Sequence, residues 1–382
     1  MKNSSLINRR NWLRNTALSS VGLVMAANTG AFAYDQHLQD EPFTEQELLR
    51  LFSNENPYSP SPKVKSAMRQ LLHRANRYAN YHPVNPQALK EAIAKREGLK
   101  AENVVLGHGS YQVLTLIAIM YGKNKETIIT PKPTFNVVGR YADHQMGANV
   151  KYIPLDKNYR MDLSAMRNAM DANTSLVFIC NPNNPTGTVI EAERLKRFCQ
   201  EVGKKATVLV DEAYIEYANP AKSKTMVELV RQQENVLITR TFSKMYGLAG
   251  MRIGYALARK DIAQKLDRLN GQFGQLINTL GLGAALATLE DEQFVRSSIQ
   301  KNQKVKQYFC RELQNLNLSF VPSETNFVYV QTGKAFKNFH SQLAKQKLKA
   351  IGKDSSEWSR MSMATMADMK RLIKIMKGMQ TR

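Results

Sequence analysis

The chain has 382 residues, of which 43% are hydrophobic, so it can bury a large core and is neither a disordered nor a fibrous protein. Its formal net charge of +22 would attract polyanions, but lysine and arginine are scattered along the chain instead of forming one basic arm. We therefore expect a basic, solvated surface and no nucleic-acid partner. The three cysteines match neither a zinc site nor a disulfide-rich scaffold, and no metal site is predicted.

Residues 1–33 have the composition of an export signal. Arg9 and Arg10 are followed by a bulky apolar pair, a short apolar stretch and a small-x-small cleavage site that ends at Ala33. The paired arginines resemble a twin-arginine signal, which the export machinery reads as an address. The apolar stretch is too short for stable membrane insertion. We expect a cytoplasmic precursor and a periplasmic or secreted product; a general secretory signal and a basic amphipathic helix are the alternatives.

The remaining chain divides into three parts. Residues 34–75 are predicted to form an N-terminal arm and part of a small domain, because the stretch begins polar and acidic. Residues 76–315 are predicted to form the large domain. Residues 316–382, with an apolar run followed by mixed helical segments, are predicted to form a C-terminal small domain of the α+β type.

In the large domain, short runs rich in Val and Ile alternate with helical patterns, which is typical of an α/β fold with a mainly parallel sheet covered by helices. Crossover helices between successive runs fit parallel pairing. The clearest predicted strands are 176–180, 208–210, 236–238 and 253–256, and the predicted helices are 87–99, 113–120, 191–203, 226–233 and a long stretch over 261–313.

Polar clusters follow three of these strands: Asn181–Gly187, Asp211–Tyr214 and Thr241–Lys244. Parallel strands place their carboxyl ends at one edge of a sheet, so the three clusters should converge there. Together they offer an amine that can form a Schiff base, a carboxylate that can hold a protonated ring nitrogen, and donors for a phenolate and a phosphate. An electron-sink cofactor requires that set of groups.

The same clusters carry a family resemblance. TFSKMYGLAGMRIGY at 241–255 and NPNNPTG at 181–187, with DEAY between them, resemble fold-type I, class I/II aminotransferases. SNENPYSPSPKV at 53–64 and NRYANYHPVNPQALKEAIA at 76–94 are similar to the histidinol-phosphate aminotransferase branch. The resemblance runs from about residue 51 to the end. It implies the pyridoxal 5'-phosphate (PLP)-dependent transferase fold: a mainly parallel seven-stranded sheet flanked by helices, plus the smaller α+β domain.

The resemblance also implies roles for individual residues. Lys244 would carry PLP as a Schiff base and move a proton between the substrate α-carbon and the cofactor. Asp211 would pair with the ring nitrogen, although an aspartate after a strand is often only a helix cap. Tyr214 and Asn184 would donate hydrogen bonds to the 3'-oxygen of PLP.

Six further residues are implied to bind the cofactor within the same subunit. Ser243 and Arg252 would hold the phosphate, Arg252 through its planar guanidinium. The turn before the 113–120 helix, with Ser110 and Tyr111, would present backbone N–H groups to that phosphate. Tyr111 departs from the acidic residue usual in the family. Thr241 and Phe135 complete the set, Phe135 as a ring that stacks on PLP or, alternatively, as a core residue.

Arg360 and Asn56 are implied to bind the substrate, Arg360 by clamping its carboxylate. Tyr78 resembles the tyrosine that reaches the PLP phosphate of a neighbouring subunit, which implies a homodimer with shared active sites. The expected activity is amino transfer from an amino acid to a 2-oxo acid in a ping-pong cycle. A PLP-dependent decarboxylase or lyase, similar to threonine-phosphate decarboxylases, is the alternative; a non-catalytic PLP-binding sensor or scaffold is a more remote one.

Overall fold

The computed structural model describes residues 48–123 and 126–380. The predicted export signal at 1–33 lies outside the described residues, as do residues 34–47 of the predicted arm. The strands are β1 Leu49–Leu51, β2 Val104–His108, β3 Thr127–Lys132, β4 Asn149–Pro154, β5 Thr174–Cys180, β6 Thr207–Asp211, β7 Val236–Thr241, β8 Ile253–Ala258, β9 Phe320–Val321, β10 Phe327–Gln331, β11 Leu348–Ala350 and β12 Trp358–Ser362.

Helices connect and cover these strands. They are α1 Pro62–Leu71, α2 Pro86–Glu97, α3 Gly109–Tyr121, α4 Val137–Met146, α5 Leu163–Asn168, α6 Ala192–Gly203, α7 Val227–Arg231, α8 Lys260–Asn270, α9 Thr279–Leu289, α10 Glu292–Asn315, α11 Phe339–Lys345 and α12 Met366–Gln380. Short 3-10 turns lie at Leu72–Arg74, Ala79–Tyr81, Ala101–Asn103, Ile215–Tyr217, Ala249–Met251 and Gly271–Gln275.

The central sheet has seven strands in the order β2-β8-β7-β6-β5-β3-β4 within the described chain. Strand β8 runs antiparallel to β2 and β7, and the other pairs are parallel. The predicted α/β class with a mainly parallel seven-stranded sheet is therefore confirmed. The register places Cys180 opposite Asp211 and Asp211 opposite Thr239, so the carboxyl ends of β5, β6 and β7 meet at one edge.

The buried apolar side chains of the described residues form two hydrophobic clusters. The larger cluster surrounds the central sheet, whose strands β5, β6 and β7 are buried along nearly their whole length. The smaller cluster includes Leu51, Val305, Phe309, Val328 and Met361. The second half of α10 therefore packs in the smaller cluster. The boundary between a large and a small domain after residue 315 stays a prediction.

The predicted long helical stretch over 261–313 is three separate helices. Gly271, with φ of +57°, ends α8. Asn278 accepts a hydrogen bond from the backbone N–H of Gly281 and so caps α9, and Asp291 caps α10 in the same way. The breaks rest on one left-handed glycine and two capping side chains, which the helical composition of the stretch does not indicate.

Two small sheets connect the start of the described chain to its C-terminal part. Strand β1 pairs in parallel with β11, and β10 pairs antiparallel with both β9 and β12. Residues just after β1 are therefore held against the C-terminal part of the chain. No helix among the described residues is long and apolar enough to cross a membrane, and that same part of the chain holds no cluster of metal-ligating side chains.

Candidate active site

A cavity of about 470 Å³ opens at the edge of the central sheet where β6 and β7 end. Each of the three polar clusters contributes to its wall, as the strand ends predict. The lining residues are Phe52, Ser53, Asn54, Glu55, Ser110, Tyr111, Phe135, Asn184, Asp211, Ala213, Tyr214, Thr241, Ser243, Lys244, Ala249, Gly250, Arg252 and Arg360.

Lys244 lies in the turn after β7, and its amine projects into the cavity. Nζ donates a hydrogen bond to the backbone carbonyl of Ser53 over 2.7 Å and lies 6.0 Å from the centre of the Tyr214 ring. Burial, assisted by the positive charge of Arg360, lowers the pKa of Lys244 from 10.5 to about 8. A larger fraction of this amine than of an ordinary lysine is therefore unprotonated near neutral pH, and that fraction can act as a nucleophile or a base.

Asp211 lies at the floor of the cavity and is only 1% exposed. Its Oδ1 accepts a hydrogen bond from the hydroxyl of Thr239 on the adjacent strand, over 2.9 Å. Burial raises the pKa of Asp211 to about 6, and the Thr239 hydrogen bond opposes that rise. A buried carboxylate in this position can be stabilised by a cationic group that enters the cavity.

Two hydrogen-bonding side chains form one wall. The Tyr214 hydroxyl accepts a hydrogen bond from Nδ2 of Asn54 over 2.9 Å. Burial raises the pKa of Tyr214, so the hydroxyl keeps its hydrogen at physiological pH. Asn184 Oδ1 accepts from the guanidinium of Arg360, which leaves the Asn184 amide hydrogens available to other acceptors.

The opposite end of the cavity is built to receive an anion. Arg252 donates to the Ser243 hydroxyl over 3.3 Å and to the Ala249 carbonyl over 2.9 Å. The N-terminus of α3 begins beside it, and helix N-termini favour phosphate groups. The backbone approach is close: a Cβ at Gly109 would lie 2.4 Å from Nη2 of Arg252, and one at Gly254 would lie 2.1 Å from the Ser110 nitrogen.

Arg360 is a buried cation without an acidic partner among the described residues. It is 8% exposed, and it donates to Asn184 and to the carbonyl of Phe52. Its Nε is buried and has no hydrogen-bond partner. Burial lowers the pKa of Arg360, which shows that its charge is incompletely compensated. An incoming carboxylate would supply the missing acceptor and the missing charge.

The structure does not bring Asn56 or Tyr78 to this cavity. Asn56 Nδ2 donates to the Met245 carbonyl over 2.8 Å, and Asn56 Oδ1 accepts from the backbone N–H of Tyr58 over 3.1 Å. These bonds hold a turn beside the site and direct the side chain away from it. Tyr78 is 76% exposed and lines a separate surface cleft that includes Leu276.

Sequence reasoning missed the contribution of residues 52–55. Ser53 supplies the carbonyl that holds Lys244, Asn54 contacts Tyr214, and the negative charge of Glu55 opposes the lowering of the Lys244 pKa. The SNENP motif was a visible signal, but it contains two asparagines, and only the fold distinguishes them. The pairing of β1 with β11 is what brings this segment to the cavity.

A buried lysine, a buried carboxylate and an anion cradle at the carboxyl edge of an α/β sheet define an enzyme that binds a phosphorylated cofactor. Residues 46–375 match the model of the family "Aminotransferase class I and II". The chain therefore belongs to this family and is a PLP-dependent aminotransferase.

Individual relatives support the assignment. Histidinol-phosphate aminotransferase from Moorella thermoacetica is 37% identical over 78% of this chain and 76% of its own length. Histidinol-phosphate aminotransferase 2 from Pseudomonas fluorescens is 39% identical over 75% of this chain and 76% of its own length. The solved structure of histidinol-phosphate aminotransferase from Sinorhizobium meliloti, in complex with PLP, superposes with a TM-score of 0.77, 27% identity, and coverage of 87% of this chain and 91% of the other.

The residues that line the cavity fit PLP. Asp211 can pair with the ring nitrogen, and Tyr214 and Asn184 have hydrogens to donate to the 3'-oxygen. Arg252, Ser243 and the N-terminus of α3 would hold the phosphate. The missing Cβ atoms of Gly109 and Gly254 let Arg252 and the first turn of α3 pack close together there.

Proposed function

We propose that the protein moves an amino group from an amino acid to a 2-oxo acid in two half-reactions, with Lys244 as the residue that joins PLP and transfers protons. The observation that carries this proposal is the convergence of Lys244, Asp211, Arg252 and Arg360 on one cavity. The family match and the names of the relatives favour amino transfer over decarboxylation, elimination or a non-catalytic sensor.

Each charged residue has a distinct task in this proposal. Bound PLP supplies an electron-withdrawing ring that stabilises negative charge at the substrate α-carbon. Asp211 holds the proton on the ring nitrogen, which strengthens that withdrawal. Arg252 and Ser243 fix the position of the phosphate. Lys244, with its pKa near 8, would accept a proton from the substrate α-carbon and then donate it to the cofactor.

Arg360 orients the substrate in the same proposal. Its unpartnered Nε and uncompensated charge favour a carboxylate, and a fixed carboxylate places the amino group of the substrate toward Lys244. Histidinol phosphate, which appears in the names of the relatives, is a second candidate amino donor. Its phosphate would be the anionic group that Arg360 binds.

An absorbance experiment tests this assignment. PLP-loaded protein is titrated with single amino acids, with histidinol phosphate, and then with 2-oxo acids, while the visible spectrum and the amino product are followed. We expect one donor class to shift the spectrum and a 2-oxo acid to restore it. K244A should bind PLP but form no amino product, because it lacks the residue that transfers the protons. Carbon dioxide release without amino transfer, or normal turnover by K244A, would refute the proposal.

We further propose that residues 1–33 direct twin-arginine export and that the mature enzyme is periplasmic or secreted. The paired Arg9 and Arg10 and the small-x-small site before Tyr34 support this. Replacing both arginines by lysine keeps the charge and should abolish export. Cell fractionation is the test, and recovery of uncleaved wild-type protein in the cytosol alone would contradict the proposal.

We also propose a homodimer in which Tyr78 completes the site of the partner. Tyr78 is 76% exposed, Tyr81 96% and Phe273 58%, so several aromatic side chains lie uncovered on the described surface. Mixing K244A with Y78F offers a direct test, because a hybrid dimer has one site with both native residues. Recovery of activity on mixing supports a shared site, and a monomeric mass by light scattering would exclude it.

A further inference from the structure

Asn54 sits at the centre of a closed hydrogen-bond arrangement beside the cavity. Its backbone N–H donates to the Ser362 hydroxyl over 2.9 Å, and its Oδ1 accepts from that same hydroxyl over 2.7 Å. Its Nδ2 donates to the Tyr214 hydroxyl over 2.9 Å. The side chain is 1% exposed, so water does not compete for these groups.

These three contacts determine which group donates in each hydrogen bond. The backbone nitrogen of Asn54 can only donate, so the single hydrogen of the Ser362 hydroxyl is free to go to Oδ1. That bond sets the amide orientation and leaves Nδ2 facing Tyr214. The Tyr214 oxygen therefore accepts from Asn54, and its own hydrogen must point elsewhere. Within the described chain no acceptor takes it, and Tyr214 lines the cavity.

We propose that Asn54 is a positioning residue that forces the Tyr214 hydroxyl to donate its hydrogen into the cofactor cavity. The inference rests on the proposed function, since the acceptor of that hydrogen is the 3'-oxygen of bound PLP. Donation to this oxygen disperses its negative charge, which lowers the pH at which the bound cofactor loses its proton. Asn54 thus lowers this pH indirectly, through the Tyr214 hydroxyl.

The backbone of Asn54 allows a clean substitution. Its φ of 53° lies in the left-handed region, which glycine adopts without strain. N54G therefore removes the side chain and keeps the turn that presents Ser53 to Lys244. N54D keeps the acceptor for Ser362 but presents a carboxylate to Tyr214, so the tyrosine hydrogen is drawn away from the cavity.

A double-mutant cycle tests the proposal with PLP-loaded protein. The readouts are the pH midpoint of the visible absorbance band and the PLP dissociation constant. We expect N54D to raise the midpoint by about one pH unit, N54G to raise it less, and N54G to weaken PLP binding roughly tenfold. In a Y214F background N54G should change neither quantity, because the hydroxyl that it orients is absent.

Equal changes of the midpoint and of PLP affinity by N54G in the wild-type and Y214F backgrounds would overturn the inference. Asn54 would then act only by holding residues 52–55 in place. An unchanged midpoint in both N54G and N54D would also overturn it. Thermal unfolding of each PLP-free variant shows whether the fold survives. Failure of the wild-type protein to bind PLP would instead refute the proposed function, so the two failures are distinguishable.

Discussion

The hydroxyl of Thr239 donates a hydrogen bond to Oδ1 of Asp211 over 2.9 Å, and both side chains are at most 1% exposed. The bond favours the ionised carboxylate against the effect of burial, which raises the pKa of Asp211 to about 6. We expect T239V to raise that pKa further and to weaken PLP binding near neutral pH by roughly tenfold. The measurement is the PLP dissociation constant between pH 5 and pH 9.

Thr130 provides a matched control for this substitution. It is also fully buried on the central sheet, but its hydroxyl has no hydrogen-bond partner. T130V should therefore leave the affinity for PLP and its pH dependence unchanged. Equal effects of T239V and T130V would mean that the Thr239 bond does not set the charge of Asp211.

The lowered pKa of Lys244 predicts that this residue destabilises the PLP-free protein below about pH 8. Below about pH 8 the folded protein holds a buried ammonium, whereas the unfolded chain keeps the ordinary pKa of 10.5. Stability of the PLP-free protein should therefore rise from pH 8 toward pH 10.5. K244M removes the charge and should be more stable than wild type at pH 7 by on the order of 2 kcal/mol, with a gap that narrows as the pH rises.

Thermal unfolding at pH 7 and pH 10 checks this expectation. Lys306 is the informative contrast, because burial also lowers its pKa to about 8 but its amine donates to two carbonyls, those of Ser323 and Thr325, whereas Lys244 donates to one. K306M leaves those carbonyls unpaired and should destabilise the protein at both pH values. A lower unfolding temperature for K244M than for wild type at pH 7 would contradict the prediction.

The close packing at Gly254 predicts that the cofactor cradle tolerates no side chain there. A Cβ at this position would lie 2.1 Å from the backbone nitrogen of Ser110, so G254A must displace the N-terminus of α3. We expect at least a tenfold loss of PLP affinity, measured by fluorescence titration of PLP-free protein. G203A, where the nearest atoms lie 3.8 Å from the new Cβ, should bind PLP normally.

A buried ion-pair network beneath the site predicts a large stability effect. Arg240 bonds Glu97 over 2.8 Å and Glu212 over 2.9 Å, and the three side chains are at most 9% exposed. R240M removes the cation that neutralises two buried carboxylates and should cost about 3–5 kcal/mol in urea unfolding. K196M breaks the more exposed pair with Glu228 and should cost less than about 1 kcal/mol. Similar costs for the two variants would refute this ranking.

The sequence was sufficient to predict how the sheet places Asp211 and Lys244 together. Buried parallel strands have a continuous apolar pattern, and the polar residues that follow them must share one edge. The breaks between α8, α9 and α10 were not predicted, because Gly271, Asn278 and Asp291 act through backbone conformation and capping bonds that an apolar periodicity does not record.

The role of residues 52–55 could not be predicted for a different reason. Asn54 meets Ser362 across more than three hundred residues of sequence, so no local pattern shows the contact. Within SNENP the two asparagines have the same chemistry, and the left-handed turn at Asn54 decides which one faces Tyr214. Asn56 instead stabilises the neighbouring turn through Met245.

The pairing of β1 with β11 has a mechanical consequence for catalysis. The Ser53 carbonyl, which holds the Lys244 amine, and Arg360 both belong to the layer built on these strands and on β12. An outward movement of this layer would withdraw the Ser53 carbonyl and Arg360 from the cavity together. The Lys244 amine would then lose its hydrogen bond to Ser53 at the same time as the substrate carboxylate loses its proposed contact with Arg360.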